Sequence, residues 1–295
     1  MDIDFFSAPS RTAAAAVFAA LACAGCFDRG VPGRQVAARS LEEAGTNAAA
    51  VTFLDLHAEP GDAAPAAFPE GLGAFPALEM LSLRGRPLAE VPESVSEAKG
   101  LFRLDLAGTG VSSLPDSLED LSGLRQLYLS DNGLAALPPV VCRLSGLEYL
   151  NLDRNAIEEL PDGAGGLSSL KWLRLNGNKL RGLPVSASGW KSIRKLYLRG
   201  NGLKEVPPAV LAMTSLEELD LGENDISEIP PELCLLPKLR RLDLDRNPRL
   251  AALPENVGDM KALTHLFVYR CALPEGERAR VRAALPDPVR QFVAF

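Results

Sequence analysis

The sequence predicts a solenoid of stacked strand-and-turn repeats, and two observations carry that prediction. Six asparagines, Asn132, Asn155, Asn178, Asn201, Asn224 and Asn247, recur every 23 residues, and a fixed period in this range marks a repeat architecture. Each closes the same phrase, as in Leu124-x-x-Leu127-x-Leu129-x-x-Asn132-x-Leu134. Its period-two apolar positions send Leu127 and Leu129 inward and Tyr128 outward, as in a half-buried strand. A stack of this kind offers a long shaped surface and not a deep pocket of convergent groups.

Bulk composition agrees. At 295 residues a length prior would suggest two domains, but the period overrides it. Apolar residues make up 47% of the chain, enough for a large core, and charged residues 23%. The net charge of -7 argues against a nucleic-acid partner, since phosphate binding needs a basic face. The acidity is spread along the chain and reads as solubility. Cys142 and Cys234 hold the same repeat position four repeats apart, roughly 19 Å at strand spacing, beyond disulfide reach.

The elements follow in order. Arg11 precedes an apolar run from Thr12 to Ala24, which fits the n-region and h-region of a secretory signal and is too short to span a bilayer stably. Residues 1–26 are read as that signal and 27–38 as a linker, with a repeat domain over 39–295. Arg39 to Gly45 reads as a short capping helix, with Ser40 and Glu43 in capping-box spacing. Strand phrases then begin at Val51, Leu78, Leu101, Leu124, Leu147, Leu170, Ile193, Leu216, Leu239 and Leu263. The wider gap after Val51 places a protruding loop at Glu59 to Pro65.

After each asparagine, a leucine–proline pair such as Leu137-Pro138 starts the return segment, because proline cannot join a strand ladder. Three-residue apolar spacing there, as in Leu118 with Leu121, predicts a helical or 3₁₀ turn on the core, and Trp190 fills such a core slot. An asparagine amide carries donors and an acceptor, so it can satisfy backbone groups of neighbouring turns. The equivalent places hold Thr109, Arg86 and Glu59 toward the N-terminus, where looser turns are expected, and Cys271 at the far end, read as a structural stand-in. Pro274 to Leu285 reads as an amphipathic closing helix with Val281, Ala284 and Leu285 on one face, and Val289 to Phe295 as a closing strand.

Ten in-register copies of this phrase resemble the leucine-rich repeat family, in its 23-residue leucine–proline subtype, over residues 39 to 295. The resemblance implies an α/β horseshoe with a parallel sheet on the concave face and short helical or extended segments on the convex face. Ala24-Gly25-Cys26 is similar to the lipobox of bacterial lipoproteins, which implies lipid attachment at Cys26 and membrane contact only through that anchor. Asp2, Asp4 and Cys23 depart from the pattern. A plainly cleaved signal and a cytoplasmic chain stay open beside the exported lipoprotein.

On the sheet the variable strand positions carry the functional clue. Tyr128, Tyr149, Trp172 and Tyr197 lie in consecutive repeats with Asn151, Arg174, Lys195 and Arg199 beside them, and Tyr269 falls in the same columns. Exposed aromatics and arginine are enriched in protein-binding hot spots, so these residues other than Tyr269 are the expected contact set for a protein or peptide partner. The competing reading is that large side chains stack in columns merely to stabilise the sheet. Asp220, Asp243 and Asp245 read as a solvated acidic patch among arginines, not a metal site. His57 and His265 lie near opposite ends, and no phosphate loop, zinc signature or nucleophile elbow appears. The expectation is therefore a non-enzymatic binding module of the bacterial cell envelope that needs no cofactor. A self-associating structural or adhesive protein, or an intracellular scaffold regulating a small GTPase, are the alternatives.

Overall fold

A computed structural model describes residues 36–59, 67–285 and 293–294. The expected signal segment with Cys26, the linker up to residue 35 and the loop over residues 60–65 lie outside the described residues.

Among the described residues, twelve short parallel strands form one sheet in chain order. They are β1 Ala37–Ala38, β2 Phe53–Asp55, β3 Met80–Ser82, β4 Arg103–Asp105, β5 Gln126–Tyr128 and β6 Tyr149–Asn151. Then come β7 Trp172–Arg174, β8 Lys195–Tyr197, β9 Glu218–Asp220, β10 Arg241–Asp243, β11 His265–Phe267 and β12 Val293–Ala294. The register is strictly repeating: Leu104, Leu127, Leu150, Leu173, Leu196 and Leu219 pair in sequence across β4 to β9. One leucine column thus runs inside the sheet, and a second, including Leu129, Leu152 and Leu175, lies beside it, fully buried. Burying each leucine contributes about 2 kcal/mol, so the repeats are held by the sum of many equal terms.

Opposite the sheet, each return segment from β3 to β11 carries one 3₁₀ turn, for example Asp116–Asp120 and Val185–Gly189. Pro115, Pro161 and Pro184 cap their starts, each in extended backbone, as the leucine–proline pairs predict. Trp190 is fully buried, and its indole N–H donates to the Ala164 carbonyl at 2.8 Å.

The asparagines form the ladder that their spacing demands. Asn178 Nδ2 donates to the carbonyls of Leu152 and Leu175 at 2.9 and 3.0 Å, and Oδ1 accepts from the Ile157 N–H at 3.1 Å. The stand-ins are built into the same ladder. Thr109 Oγ1 donates to the Leu106 carbonyl at 2.8 Å, and Cys271 Sγ to that of Leu244 at 3.1 Å. Arg86 was expected to spoil its place. It instead lies half-buried and donates Nε to the Leu56 carbonyl at 3.2 Å, because its long stem lets the guanidinium reach where an amide would sit.

Both ends are capped. Helix α1, Leu41–Gly45, starts at Ser40, whose hydroxyl accepts from the Glu43 N–H at 3.0 Å. Glu43 returns the bond one residue farther out, to the Arg39 N–H at 2.8 Å. The sheet begins earlier than the linker reading placed it, since Ala37 and Ala38 already pair with Phe53 and Leu54. Helix α2, Glu275–Ala284, buries Val281 and Leu285 completely. Ala284 is exposed, contrary to the expected stripe, because the four-residue pair alone faces the last turn. β12 adds the closing strand on β11.

Candidate functional site

Each strand from β2 to β11 has only three residues, so its first and third side chains face the open side of the sheet while the central leucine faces the core. The register sets Trp172 beside Tyr149 and Lys195, and Tyr197 beside Arg174. Four rings consequently run across β5 to β8 without a gap. Centroid separations are 4.7 Å for Tyr128–Tyr149, 5.2 Å for Tyr149–Trp172 and 6.1 Å for Trp172–Tyr197. Cations cover the line: Arg103 lies 4.4 Å from the Tyr128 ring, Lys195 4.7 Å from Trp172 and Arg174 5.4 Å from Tyr197. Such ring pairs contribute about 1 kcal/mol each, and exposed cation–π contacts about 0.5 kcal/mol.

This packing changes the role of one expected contact. Tyr149 is buried, only 8% exposed, because Tyr128 and Trp172 close over it from both sides. It braces the line and is not part of its outer surface. Tyr128, Trp172 and Tyr197 remain half-exposed. Burial raises the Tyr149 and Tyr197 hydroxyls above the ordinary tyrosine value, with the Glu218 hydrogen bond adding to it at Tyr197.

The charged members of the set are also engaged. Arg174 Nη2 meets Asp153 Oδ2 at 2.6 Å. Glu218 accepts from Lys195 at 2.9 Å and from the Tyr197 hydroxyl at 2.7 Å. Burial opposes the charge on Glu218, yet these two hydrogen bonds and the Lys195 charge outweigh it and hold the carboxyl below its usual range. Arg199 binds Asp220 at 3.1 Å, Glu223 at 3.3 Å and Asp243 at 2.8 Å. Asn151 Oδ1 accepts from the Asp153 N–H at 3.0 Å, which ties it to its own turn.

Asp243 is buried and Asp220 half-buried, so the acidic trio is not a solvated patch. Asp220 Oδ1 accepts from the Gly222 N–H and Asp243 Oδ1 from the Asp245 N–H, at 2.9 and 3.1 Å. Burial raises all three carboxyls above the usual aspartate value. No metal-holding cluster occurs among the described residues. Asp245 belongs to a second ladder that sequence reasoning missed. Asp153 accepts from the Asn176 N–H at 2.7 Å, Asn176 from the Arg199 N–H at 2.9 Å, and Asp245 from the Tyr269 N–H at 2.7 Å. Its signal was present: polar acceptors stand two residues before Asn155, Asn178 and Asn247.

The leucine-rich repeat family matches residues 130–180, 145–203 and 191–249, the stretch that holds all six ladder asparagines. Residues 130–249 are leucine-rich repeats. No curated protein matches it. Among solved structures it is similar to a leucine-rich repeat protein of Leptospira interrogans, at 18% identity and TM-score 0.48, over 89% of this chain and 100% of that one. It is also similar to the functional domain of InlJ from Listeria monocytogenes, at 17% identity and TM-score 0.57, over 75% of this chain and 49% of that one. A third is the ectodomain of the Arabidopsis thaliana receptor kinase GASSHO1/SCHENGEN3 in complex with Casparian strip integrity factor 2. There the identity is 22% and the TM-score 0.51, over 69% of this chain and 31% of that one.

Leucine-rich repeats generally mediate protein–protein interaction, and proteins of this fold are typically non-enzymatic scaffolds. The thiols of this repeat protein agree with a structural use: burial pushes Cys234 up to about 11 and raises Cys142 and Cys271. Beyond the four rings, the sheet carries a second aromatic group in its last repeat. His265 and Phe267 stack 6.2 Å apart with planes 7° from parallel, and Arg241 lies 4.3 Å over Phe267. Tyr269 stands apart from the central line, 45% exposed, with Arg270 over it at 5.2 Å. A depression of about 490 Å³ lies beside this group, lined by Tyr197, Glu217, Glu218, Asp220, Arg240, Arg241, Thr264 and His265.

Proposed function

We propose that this chain is a binding module of the bacterial cell envelope that grips a protein or peptide on its sheet face. The observation that supports it best is the line Tyr128–Tyr149–Trp172–Tyr197 under its cations. Each ring is fixed by the next, so little side-chain entropy is lost when a partner settles on them. The half-exposed Trp172 and Tyr197 are the contacts, with Tyr128 at the rim. Tyr149, Asn151, Arg174, Lys195 and Arg199 hold them in place. Replacing Trp172 and Tyr197 with alanine should weaken binding to a partner captured from envelope extract by at least about 2 kcal/mol. Circular dichroism should show the array still folded. Undiminished affinity in that double variant would remove the site assignment.

The envelope location rests on the apolar run and the Ala24-Gly25-Cys26 sequence. Cys26 is the attachment point for a lipid that anchors the chain at a periplasmic or outer-membrane face. Palmitate labelling that vanishes in Cys26→Ser is the expected result. Labelling that persists in the variant, or never occurs, would leave the anchor without support.

A further inference from the structure

We propose that the depression at the C-terminal end of the sheet receives an acidic segment of the partner, seating a carboxylate on Arg240 and Arg241 and apolar atoms on Phe267 and Tyr269. This rests on the partner-binding reading above and names the chemistry that one part of the surface selects.

The argument begins with which charges in the depression are already satisfied. Glu217 accepts twice from Arg194, at 2.8 and 2.6 Å. Glu218 is held by Lys195 and Tyr197, and Asp220 by Arg199. The cations on the other wall are in a different position. Arg240 is exposed. Arg241 reaches a carboxylate only at 3.9 Å, on Asp243, which Arg199 already holds at 2.8 Å. Its guanidinium instead lies over the Phe267 ring, with a side chain 43% exposed. A guanidinium stacked on a ring keeps its donor edge free for a two-point bond to a planar carboxylate. Arg270 over Tyr269 repeats the arrangement one residue row away.

The partner class follows from size and sign. A volume of about 490 Å³ holds one or two side chains and lies within the range of specific small sites. A long polyanion is disfavoured, because Glu217, Glu218 and Asp220 line the depression and the chain carries a net charge of -7. A short acidic stretch with an apolar neighbour meets both arginines from the β11 side, where Thr264 and His265 line the depression and Phe267 and Tyr269 lie beyond it. Glu217 and Glu218 meanwhile stay held by Arg194 and Lys195.

The test is selection from a random-peptide display library on the immobilised full chain, followed by binding of the selected peptides to variants. Selected peptides should be enriched in aspartate and glutamate. They should bind Arg240→Glu/Arg241→Glu about tenfold or more weakly, and Arg240→Gln/Arg241→Gln with an intermediate loss. Arg84→Glu, on an exposed arginine at the other end of the same face, should change affinity less than about twofold. Peptides that are selected but are not acidic, or that bind both arginine-pair variants undiminished, would overturn this site and leave the binding-module reading intact. If no peptide of any composition is selected, both readings fail.

Discussion

Arg199, two residues after β8, reaches past β9 to Asp243 on β10, Nη2 to Oδ2, at 2.8 Å. The same guanidinium binds Asp220 and Glu223, so one cation joins three repeats. Asp243 keeps only 7% of its side-chain surface exposed, and a carboxylate that deep loses its solvation without a counter-charge. Arg199→Met should therefore lower stability by on the order of 3 kcal/mol. Adding Asp243→Asn to that chain should recover part of the loss. Urea melts of the three proteins decide the matter: a single variant as stable as the parent would mean the clamp adds nothing.

Asp105 gives a prediction with the opposite sign. It is 1% exposed, its Oδ2 is buried without a hydrogen-bond partner, and Arg103 approaches no closer than 3.8 Å. Burial raises its carboxyl above the usual aspartate value, against the Ala107 N–H bond and the nearby arginines. The folded protein thus binds this proton more readily than the unfolded chain, and across the window between the two values its contribution rises as pH falls. Asp105→Asn keeps an acceptor for Ala107 and removes the charge. It should stabilise the protein at neutral pH by about 1 kcal/mol, with the gain shrinking as pH falls toward the ordinary aspartate value. A gain that is flat with pH would assign the effect to something other than charge.

The repeat, its register, the proline-capped turns, buried Trp190 and both caps were legible because each follows from spacing along the chain. Side-chain occupancy was less so. Tyr149 reads as an outward position, and it is one, yet its neighbours on adjacent strands bury it. That depends on ring size in three repeats at once. Arg86 reads as a break in the ladder because its type differs from asparagine, although its reach is what matters. The Arg199 clamp was hidden for a similar reason, since a bond that skips a strand leaves no mark in any single repeat. Strand β1 has two alanines and no phrase, so only its pairing reveals it.

The ladder itself yields a graded test. Asn178→Ala would strand the carbonyls of Leu152 and Leu175 and the N–H of Ile157, all in buried surroundings. The cost should be about 3 kcal/mol or more. Asn178→Cys should cost less, because the Cys271 thiol already donates to the equivalent Leu244 carbonyl. Thermal melts that place cysteine at or below alanine would show that the thiol is a passive filler.

The turn ahead of each ladder residue imposes a second, separable constraint. Gly85, Gly108, Asp131, Arg154, Gly177, Gly200, Glu223, Arg246 and Arg270 all hold φ between +54° and +71°, in the left-handed region. Only glycine enters that region without cost, and other residues lose roughly 1 kcal/mol or more there. Arg270→Gly should therefore stabilise the array by roughly a few tenths of a kcal/mol, the relief of strain less the extra freedom of the unfolded chain and the lost exposed contact with the Tyr269 ring. Arg154→Gly should gain less, since it also gives up the paired bonds to Asp131 at 2.5 and 2.6 Å, worth about 0.5 kcal/mol on an exposed surface. Gly200→Ala should lose about 1 kcal/mol. The order of the three melting temperatures, Arg270→Gly above Arg154→Gly above Gly200→Ala, is the measurement, and an inverted order would mean that backbone conformation at this turn does not govern stability.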